Sequence, residues 1–411
     1  MIVGGTAFAQ VLSSLLSPII SRIYTPEDFG VLTVYSAILG MISLLGAFSY
    51  NSAIPIAEND EKAANVLGLC LLILCISTVS LALLLFLVGK PLLSMLNAEQ
   101  LLNYRYLLVI GFFLTGLYTV LMSWAFRKRN FKAITKTKFT QSITGNSVKL
   151  GLGFLNSGAI GLVFGRIFSE SAGISTLAAP LIRREKHLLH NISKDGIRWA
   201  AKRYVKFPLF SAPGLLLVSV SSQLPSIFIN SIYGAQVIGL YGFAFSIVYL
   251  PMGLVGKAIQ DVFYGEAARI GRSNPGRVKE LSNKLLKRLI FIGSIPLAAF
   301  VLFGPVMFSF VFGSNWFQAG EYARILSIQA FMYLIFHPIS TVFNIFERQS
   351  TFLILNVIKL ILAFAILGLT VVLSLNSFMA ITLLTVAFSF VELLKFILAQ
   401  RILDIAIRDK Q

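Results

Sequence analysis

Acidic residues, cysteine and histidine are scarce in this chain, and each scarcity excludes a class of site. The 17 aspartates and glutamates are outnumbered by 35 lysines and arginines. Both cysteines, Cys70 and Cys75, lie in one apolar block, which argues against a disulfide framework and against a cysteine metal site. The three histidines lack the spacing of zinc ligands. We therefore expect no bound metal and no other cofactor.

Polar stretches are also few. Hydrophobic residues make up 56% of the 411 residues, and the mean hydropathy is +0.82. This is more apolar surface than one soluble core can bury. Similar apolar blocks recur to the end of the chain, so the first block is not predicted to be a secretory signal peptide. The composition predicts a protein whose solvent is lipid.

Turn residues and charge clusters divide the chain into twelve apolar blocks. Each is about the 20 residues that a helix needs to cross a bilayer. The predicted spans are Ile2 to Ile23, Gly30 to Ile54, Ala63 to Val88, Leu101 to Phe126, Phe139 to Leu155, Ala159 to Leu181, Phe207 to Ile232, Ile238 to Phe263, Leu285 to Phe312, Tyr322 to Phe346, Phe352 to Leu375 and Phe378 to Leu403. The predicted fold class is an all-α integral membrane protein of about twelve transmembrane helices.

Basic residues are unevenly distributed between alternate loops. Most of them lie in the loops from Arg127 to Lys138, from Arg183 to Lys206 and from Arg269 to Arg288, and near the C-terminus. Because cytoplasmic loops retain lysine and arginine, this side is predicted to be cytoplasmic, with both termini there. The anionic inner leaflet then accounts for the net charge of +18. A nucleic-acid partner is not expected.

Two sequence patterns occur twice. The stretch from Ser13 to Gly30 resembles that from Ser222 to Gly239, and the pattern from Asn146 to Phe154 recurs from Asn356 to Phe364. Nearly the same length of chain separates the members of each pair. Parallel repeats of this kind occur in transporters. They predict two six-helix lobes of the same topology, residues 1–182 and 207–411, around a central cavity and joined by a basic cytoplasmic linker, residues 183–206.

Lys149 and Lys359 are equivalent in this repeat. Neither has an acidic residue one helical turn away. Each lies about ten residues into its predicted span, roughly 15 Å deep. Two such lysines facing one cavity would form a phosphate site, and Asn146 and Asn356, one turn away, could donate hydrogen bonds to the same ligand. Alternatively, each lysine extends to the interface or pairs with an acid on another helix.

The other charges within or beside the spans have partners in the sequence. Four cations have an acid one turn away: Arg166 with Glu170, Lys257 with Asp261, Lys395 with Glu392, and Arg324 with Glu321. Such pairs can simply neutralise each other. Arg166 and Lys257, together with Arg22, remain candidates for substrate binding. Asp261 is the candidate for coupling to an ion, because a lumenal carboxylate can bind and release a cation.

Catalytic templates are absent from the sequence. It contains no Gly-x-Ser-x-Gly elbow, no Gly-x-x-x-x-Gly-Lys loop and no His-Glu-x-x-His pattern. The outward loops are short as well. No catalytic residues are assigned, and the chain is not expected to be an enzyme.

Several stretches carry a family resemblance. They are Ser17 to Gly30, Lys206 to Pro213, Gly239 to Pro251, and Phe312 to Leu326. They resemble bacterial polysaccharide flippases of the Wzx type, which belong with drug and toxic-compound extruders and lipid II flippases.

The resemblance implies a function for the chain. The expected function is translocation of an undecaprenyl-pyrophosphate-linked oligosaccharide across the inner membrane by alternating access, for O-antigen, capsule or exopolysaccharide synthesis. The implied partners are membrane lipid, a coupling proton or sodium ion, and a polysaccharide polymerase with its chain-length regulator.

Two other functions stay open on the sequence. An ion-coupled drug extruder of the same superfamily should prefer acidic residues for its cationic ligands, whereas this chain offers lysines. A membrane-embedded polysaccharide polymerase or ligase would need a large external loop, and the longest one, about Gly89 to Gln100, is short.

Overall fold

The computed structural model describes residues 2–95 and 97–409, and in both ranges the chain is almost entirely α-helical, without a β-strand. The α-helices of the described residues are α1 Ile2–Ile23, α2 Pro26–Ile42, α3 Asp60–Met95, α4 Arg105–Arg127, α5 Phe131–Phe154, α6 Ala159–Ser171, α7 Ile174–Arg184, α8 Lys186–His190, α9 Lys194–Arg203, α10 Ala212–Ile270, α11 Pro275–Phe312, α12 Phe317–Phe336, α13 Val342–Ile345, α14 Gln349–Val372 and α15 Ser377–Arg408.

Among the described residues, eight helical stretches are long and apolar enough to cross a membrane. One of them, Phe207–Ile270, is interrupted at Gly234, whose φ of 80° and ψ of −178° divide α10 into two spans. Helices α1 and α5 and the pair α6 and α7 correspond to the remaining predicted spans. The structure confirms an all-α membrane protein, and each of the twelve predicted spans has a helical counterpart.

The boundaries of two spans differ from the prediction. Helix α2 ends at Ile42, and short 3-10 turns follow instead of helix up to Ile54. Small polar residues occupy these turns, and their side chains compete for backbone hydrogen bonds. The Ser43 hydroxyl donates to the Gly40 carbonyl oxygen at 3.2 Å, and Ser49 is in the left-handed conformation. Helix α5 begins at Phe131, earlier than predicted. The Asn130 side chain caps it by accepting a hydrogen bond from the backbone N–H of Ala133 at 3.1 Å.

The start of α2 shows how the sequence determines a helix end. Thr25 and Asp28 form a reciprocal capping box: the Asp28 carboxylate accepts from the Thr25 N–H at 2.9 Å, and the Thr25 hydroxyl accepts from the Asp28 N–H at 3.3 Å. Pro26 occupies the first turn, where its missing N–H costs nothing. The Thr-Pro-Glu-Asp run thus fixes the entry of the chain into α2.

The chain divides into two compact units, one ending at Gly239 and the other beginning at Leu240. The boundary lies inside α10, shortly after the break at Gly234. The first compact unit therefore includes the segment 207–239, which the sequence assigns to the C-terminal lobe. Lobes of six helices each, separated by the linker 183–206, remain a prediction from the repeat.

A glycine pair brings α10 against α2 in the first unit. A Cβ on Gly239 would collide with the carbonyl oxygen of Pro26 and the backbone nitrogen of Gly30, and one on Gly30 would collide with the carbonyl oxygen of Ala235. Backbone atoms cannot move aside as a flexible side chain can. The two glycines that the repeat relates to each other therefore lie at the same helix crossing.

Candidate functional site

Lys149 lies where α5 packs closely against α6. Gly145 and Gly165 permit this approach, since a Cβ on either would lie 3.0 Å from the carbonyl oxygen of the other. The Cγ of Lys149 covers Gly165. In the part of the chain that the structure describes, no carboxylate lies within 4.0 Å of the Lys149 ammonium group. This half-buried lysine is therefore held beside a helix crossing without an ion-pair partner.

Helix α5 is longer than the predicted span, and this changes where Lys149 lies along its helix. It lies five residues before the last residue of α5, about 8 Å along the axis, and much further from its first residue. The Tyr24 hydroxyl donates to the Lys149 carbonyl oxygen at 2.6 Å and connects this part of α5 to α1. Lys149 thus lies nearer the C-terminal end of α5 than its middle, because the added length of the helix is at its N-terminal end.

Arg166 is the second cation of this region. It forms an ion pair of 2.6 Å with Glu170 one turn further along α6, as the sequence spacing predicts. Glu170 also accepts a hydrogen bond of 2.5 Å from the Thr115 hydroxyl. Arg166 is close enough to Lys149 for their charges to repel each other. The carboxylate of Glu170 thus pairs with Arg166, the charge of Lys149 is left over, and the three residues together are positive.

Asn146 and Asn356 have a structural role in addition to any binding role. The side-chain nitrogen of Asn146 donates to the carbonyl oxygen of Ser142 at 2.9 Å, and that of Asn356 to the carbonyl oxygen of Phe352 at 2.9 Å. Asn146 also donates to the Ser13 hydroxyl at 3.0 Å. Both asparagines are buried. Both thus bond to the carbonyl oxygen four residues before them, as Asn65 does with Glu61. Donation by Asn146 to a ligand would require its bond to Ser13 or to Ser142 to be exchanged.

Lys359 lies in the middle of α14, in the second unit. Its ammonium group is 4.4 Å from the centre of the Phe388 ring of α15, an arrangement that stabilises a cation at a weakly hydrated site. The nearby Glu392 attracts it electrostatically, although no described carboxylate comes within 4.0 Å. Lys359 is therefore stabilised by an aromatic ring, whereas Lys149 lies at a helix crossing that is lined by glycines.

A buried polar cluster in the second unit was missed by sequence reasoning. Glu392 and Lys395 of α15 form an ion pair of 2.8 Å, with only 4% and 3% of their side chains exposed. The other carboxylate oxygen of Glu392 lies 3.9 Å from Nδ1 of His337, whose ring stacks on Tyr333. The sequence indicated only the pair within α15. His337 is distant in sequence, and the packing of the 3-10 turn after α12 against α15 brings it close.

The remaining predicted site residues are on exposed positions. Lys257 and Asp261 form an ion pair of 2.8 Å with 68% and 63% of their side chains exposed. Arg22 is exposed in the last turn of α1. Within the described side chains, no group of three or more histidine, cysteine or acidic residues could hold a metal ion. Among the residues considered for the site, charge and burial coincide at Lys149, at Lys359 and at the Glu392 cluster.

Comparisons of the sequence with known proteins identify its family. A family model described as "Polysaccharide biosynthesis protein" matches residues 19–321. An uncharacterized membrane protein in the cps region of Klebsiella pneumoniae is 21% identical over 87% of this chain and 72% of its own length. The succinoglycan biosynthesis transport protein ExoT of Rhizobium meliloti is 23% identical over 76% of this chain and 61% of its own length.

Solved structures show the same fold. The inward-facing conformation of a multidrug resistance MATE family transporter of the MOP superfamily aligns with a TM-score of 0.71 and 15% identity, over 97% of this chain and 96% of its own. A MOP superfamily transporter from Pyrococcus furiosus aligns with a TM-score of 0.66 and 16% identity, over 98% and 94%. The likeness to polysaccharide flippases drawn from the sequence motifs is confirmed at the level of the family: the chain belongs to the polysaccharide biosynthesis protein family.

Proposed function

We propose that this protein moves an undecaprenyl-pyrophosphate-linked oligosaccharide from the cytoplasmic to the periplasmic leaflet of the bacterial inner membrane, by alternating access. The product would serve O-antigen, capsule or exopolysaccharide synthesis. A polysaccharide polymerase and a chain-length regulator would act after it.

The family and the fold support this proposal at its coarser level. The chain is a multi-pass membrane protein of a polysaccharide biosynthesis family, and its fold is that of MOP superfamily transporters. One relative is named as a transport protein for succinoglycan biosynthesis. Transport of a polysaccharide precursor, rather than its chemical conversion, fits these relatives.

The observation that carries the proposal is the positive group around Lys149. The single negative charge of Glu170 is paired with Arg166, and the nearby Lys149 ammonium has no ion-pair partner among the described residues. A pyrophosphate has the charge to fill this gap, and lysine binds phosphate as a point charge. A cationic drug would be repelled. The charge therefore favours the flippase over a drug extruder of the same fold.

The same proposal extends to the second unit. Lys359 is the repeat equivalent of Lys149 and would interact with the same class of anion. Glu392 is a better candidate than Asp261 for binding the coupling ion, a proton or sodium. Both carboxylates are paired with a lysine, but Glu392 is buried and lies beside His337, whereas Asp261 is exposed. A buried carboxylate is the more sensitive to gain or loss of a cation.

Replacement of Lys149 and Lys359 together by Ala tests the proposal. In a strain that lacks the wild-type gene, surface polysaccharide should fall more than tenfold, because each lost charged contact to phosphate is worth more than a factor of ten. The lipid-linked precursor should accumulate in the cytoplasmic leaflet, with the variant still inserted in the membrane.

The control is the double replacement of Lys132 and Lys136, two exposed lysines of α5, by Ala, which should export normally. Normal polysaccharide in the Lys149 and Lys359 variant would overturn the proposed binding residues. A null strain with normal polysaccharide but raised drug sensitivity would identify a drug extruder instead.

A further inference from the structure

An open apolar groove runs between the second half of α10 and the first half of α11. It has a volume of about 480 Å³. Its walls are mostly apolar side chains, among them Val262 and Phe263 of α10 and Leu285 and Ile292 of α11. Val262 is 75% exposed and Ile292 is 49% exposed. In a membrane protein such a groove is filled by a hydrocarbon chain. The shape of the groove and the charges beside it determine which lipid provides that chain.

Two cations line the groove on α11, and we call their side chains its basic rim. They are Lys284 and Arg288, which lie one turn apart and are exposed. Neither has a carboxylate within 4.0 Å in the described part of the chain. Their neighbours are different: Lys279 is bonded to Asp404, and Arg269 to Glu266. The two rim cations are therefore available to an anion.

Glu266 is the one acid among the described residues that line the groove, and it does not cancel this charge. Both of its carboxylate oxygens accept hydrogen bonds from Arg269, at 2.7 and 3.2 Å. Its charge is thus already matched by a cation outside the groove. An anion at the rim would experience Lys284 and Arg288 with little opposing charge.

We propose that this groove binds an anionic phospholipid of the cytoplasmic leaflet, with its headgroup phosphate on Lys284 and Arg288 and one acyl chain along the apolar walls. From Glu266 to Ala258 the groove is about 12 Å long at 1.5 Å per residue. This is close to the roughly 15 Å of one leaflet. A polyprenyl chain is much longer than that, and only part of it would fit in the groove.

The charge distribution places the basic rim on the side that the sequence predicts to be cytoplasmic. That leaflet is anionic, and basic pockets between membrane helices on that side bind anionic headgroups. The site is separate from Lys149 and does not depend on the proposed transport. Its role would be to hold α10 and α11 in a defined position in the leaflet.

Native mass spectrometry of the purified full-length protein tests the proposal, with phosphatidylglycerol and phosphatidylcholine at equal concentrations as probes. The wild type should retain phosphatidylglycerol in preference. Replacement of Lys284 and Arg288 by Gln should weaken its binding about tenfold or more, as expected for two cations near a phosphate. The control is replacement of Arg277 and Lys287 by Gln, which removes the same charge from the same helix without touching the groove.

A second pair of variants tests the acyl chain. Ala258→Phe should fill the groove and reduce phosphatidylglycerol binding severalfold with the rim charges intact, whereas Ala268→Phe, an exposed position outside the groove, should not. Equal binding of both lipids would overturn the proposal. So would equal losses in the two charge variants, or full binding by Ala258→Phe. Displacement of phosphatidylglycerol by undecaprenyl pyrophosphate at a lower concentration would assign the groove to the substrate carrier and would overturn it as well.

Discussion

Charged residues within the helices follow two patterns at the residue scale. Pairs such as Arg166 with Glu170 and Lys257 with Asp261 form within one helix, as their spacing predicts. Lys149 and Lys359 have no such acid and make use of a glycine-lined crossing and an aromatic ring instead. A cation without a carboxylate partner is costly in a membrane protein unless a ligand or water compensates it. This cost is why these two lysines remain the proposed binding residues.

The buried pair of Glu392 and Lys395 gives a prediction for stability. Glu392→Gln would leave the Lys395 ammonium buried without its counter-ion, and the free energy of unfolding should fall by about 3–5 kcal/mol. Replacing both residues by Leu should cost clearly less, because no charge is then left alone. Unfolding in detergent, followed by circular dichroism, would measure both changes.

The exposed pair supplies the comparison for that experiment. Asp261→Asn breaks an ion pair of the same length, 2.8 Å, in an exposed position, and should change the stability by about 1 kcal/mol or less. If Glu392→Gln were no more harmful than Asp261→Asn, burial of the α15 pair would have no energetic consequence.

Lys128 gives a prediction for the pH dependence of stability. It follows α4 and lies 2.7 Å from Asp60 and 3.3 Å from Glu185. Burial acts to lower the pKa of Lys128, but the hydrogen bonds to the two carboxylates outweigh it and raise the pKa above its ordinary 10.5. Because the folded state favours the charged form, this contribution is present below pH 10.5 and is lost as the pH rises through the higher folded value.

Lys128→Met should therefore lower the melting temperature by an amount that is constant between about pH 7 and pH 9 and that shrinks above the pKa of the unfolded lysine. The neighbouring exposed Lys132→Met should have little effect at any of these pH values. A difference between Lys128→Met and wild type that grew with pH would show that the two carboxylates do not stabilise the lysine.

Close packing of glycine decides the helix crossings at the element scale. Gly239→Ala should destabilise the protein, because its Cβ would meet the backbone of Pro26 and Gly30 and the two helices would have to separate. Overpacking of this kind typically costs 1–3 kcal/mol. Gly214→Ala, in the same helix α10 with nothing within 4 Å of the added Cβ, should be neutral or slightly stabilising. Thermal unfolding of the two variants side by side measures the difference.

The helix ends were partly predictable at this scale. The sequence gives apolar blocks of the correct number, since length and hydropathy are local properties. It did not show that α2 stops at Ile42 or that α5 starts at Phe131. These ends depend on caps and on small polar residues within apolar surroundings. A search for apolar stretches of sufficient length does not take these residues into account.

The topology gives a prediction at the scale of the whole molecule. A fluorescent protein fused to the C-terminus should fold and fluoresce, and alkaline phosphatase fused there should be inactive, because the positive-inside rule places this end in the cytoplasm. Fusions after Ser374, between α14 and α15, should give the opposite result. Active phosphatase at the C-terminus would show that the charge distribution does not set the orientation of this chain.

The candidate site also depends on the whole molecule. The sequence pointed to Lys149, Lys359 and their asparagines through the repeat, and both asparagines do bond alike in the structure. It did not predict that His337 lies near Glu392, because His337 is in the 3-10 turn after α12 and Glu392 is on α15, and their proximity follows from tertiary packing.

The sequence by itself determined that this protein is an all-α membrane protein with twelve spans and an internal repeat. Hydropathy, charge placement and residue spacing are properties of the sequence itself. In lipid, an apolar stretch of that length forms a helix because its backbone groups must bond to one another. Only the tertiary structure decided which charges are buried, which lysines lack an acid, and where a groove with a basic rim opens. Those properties depend on residues far apart in sequence that meet only when the helices pack.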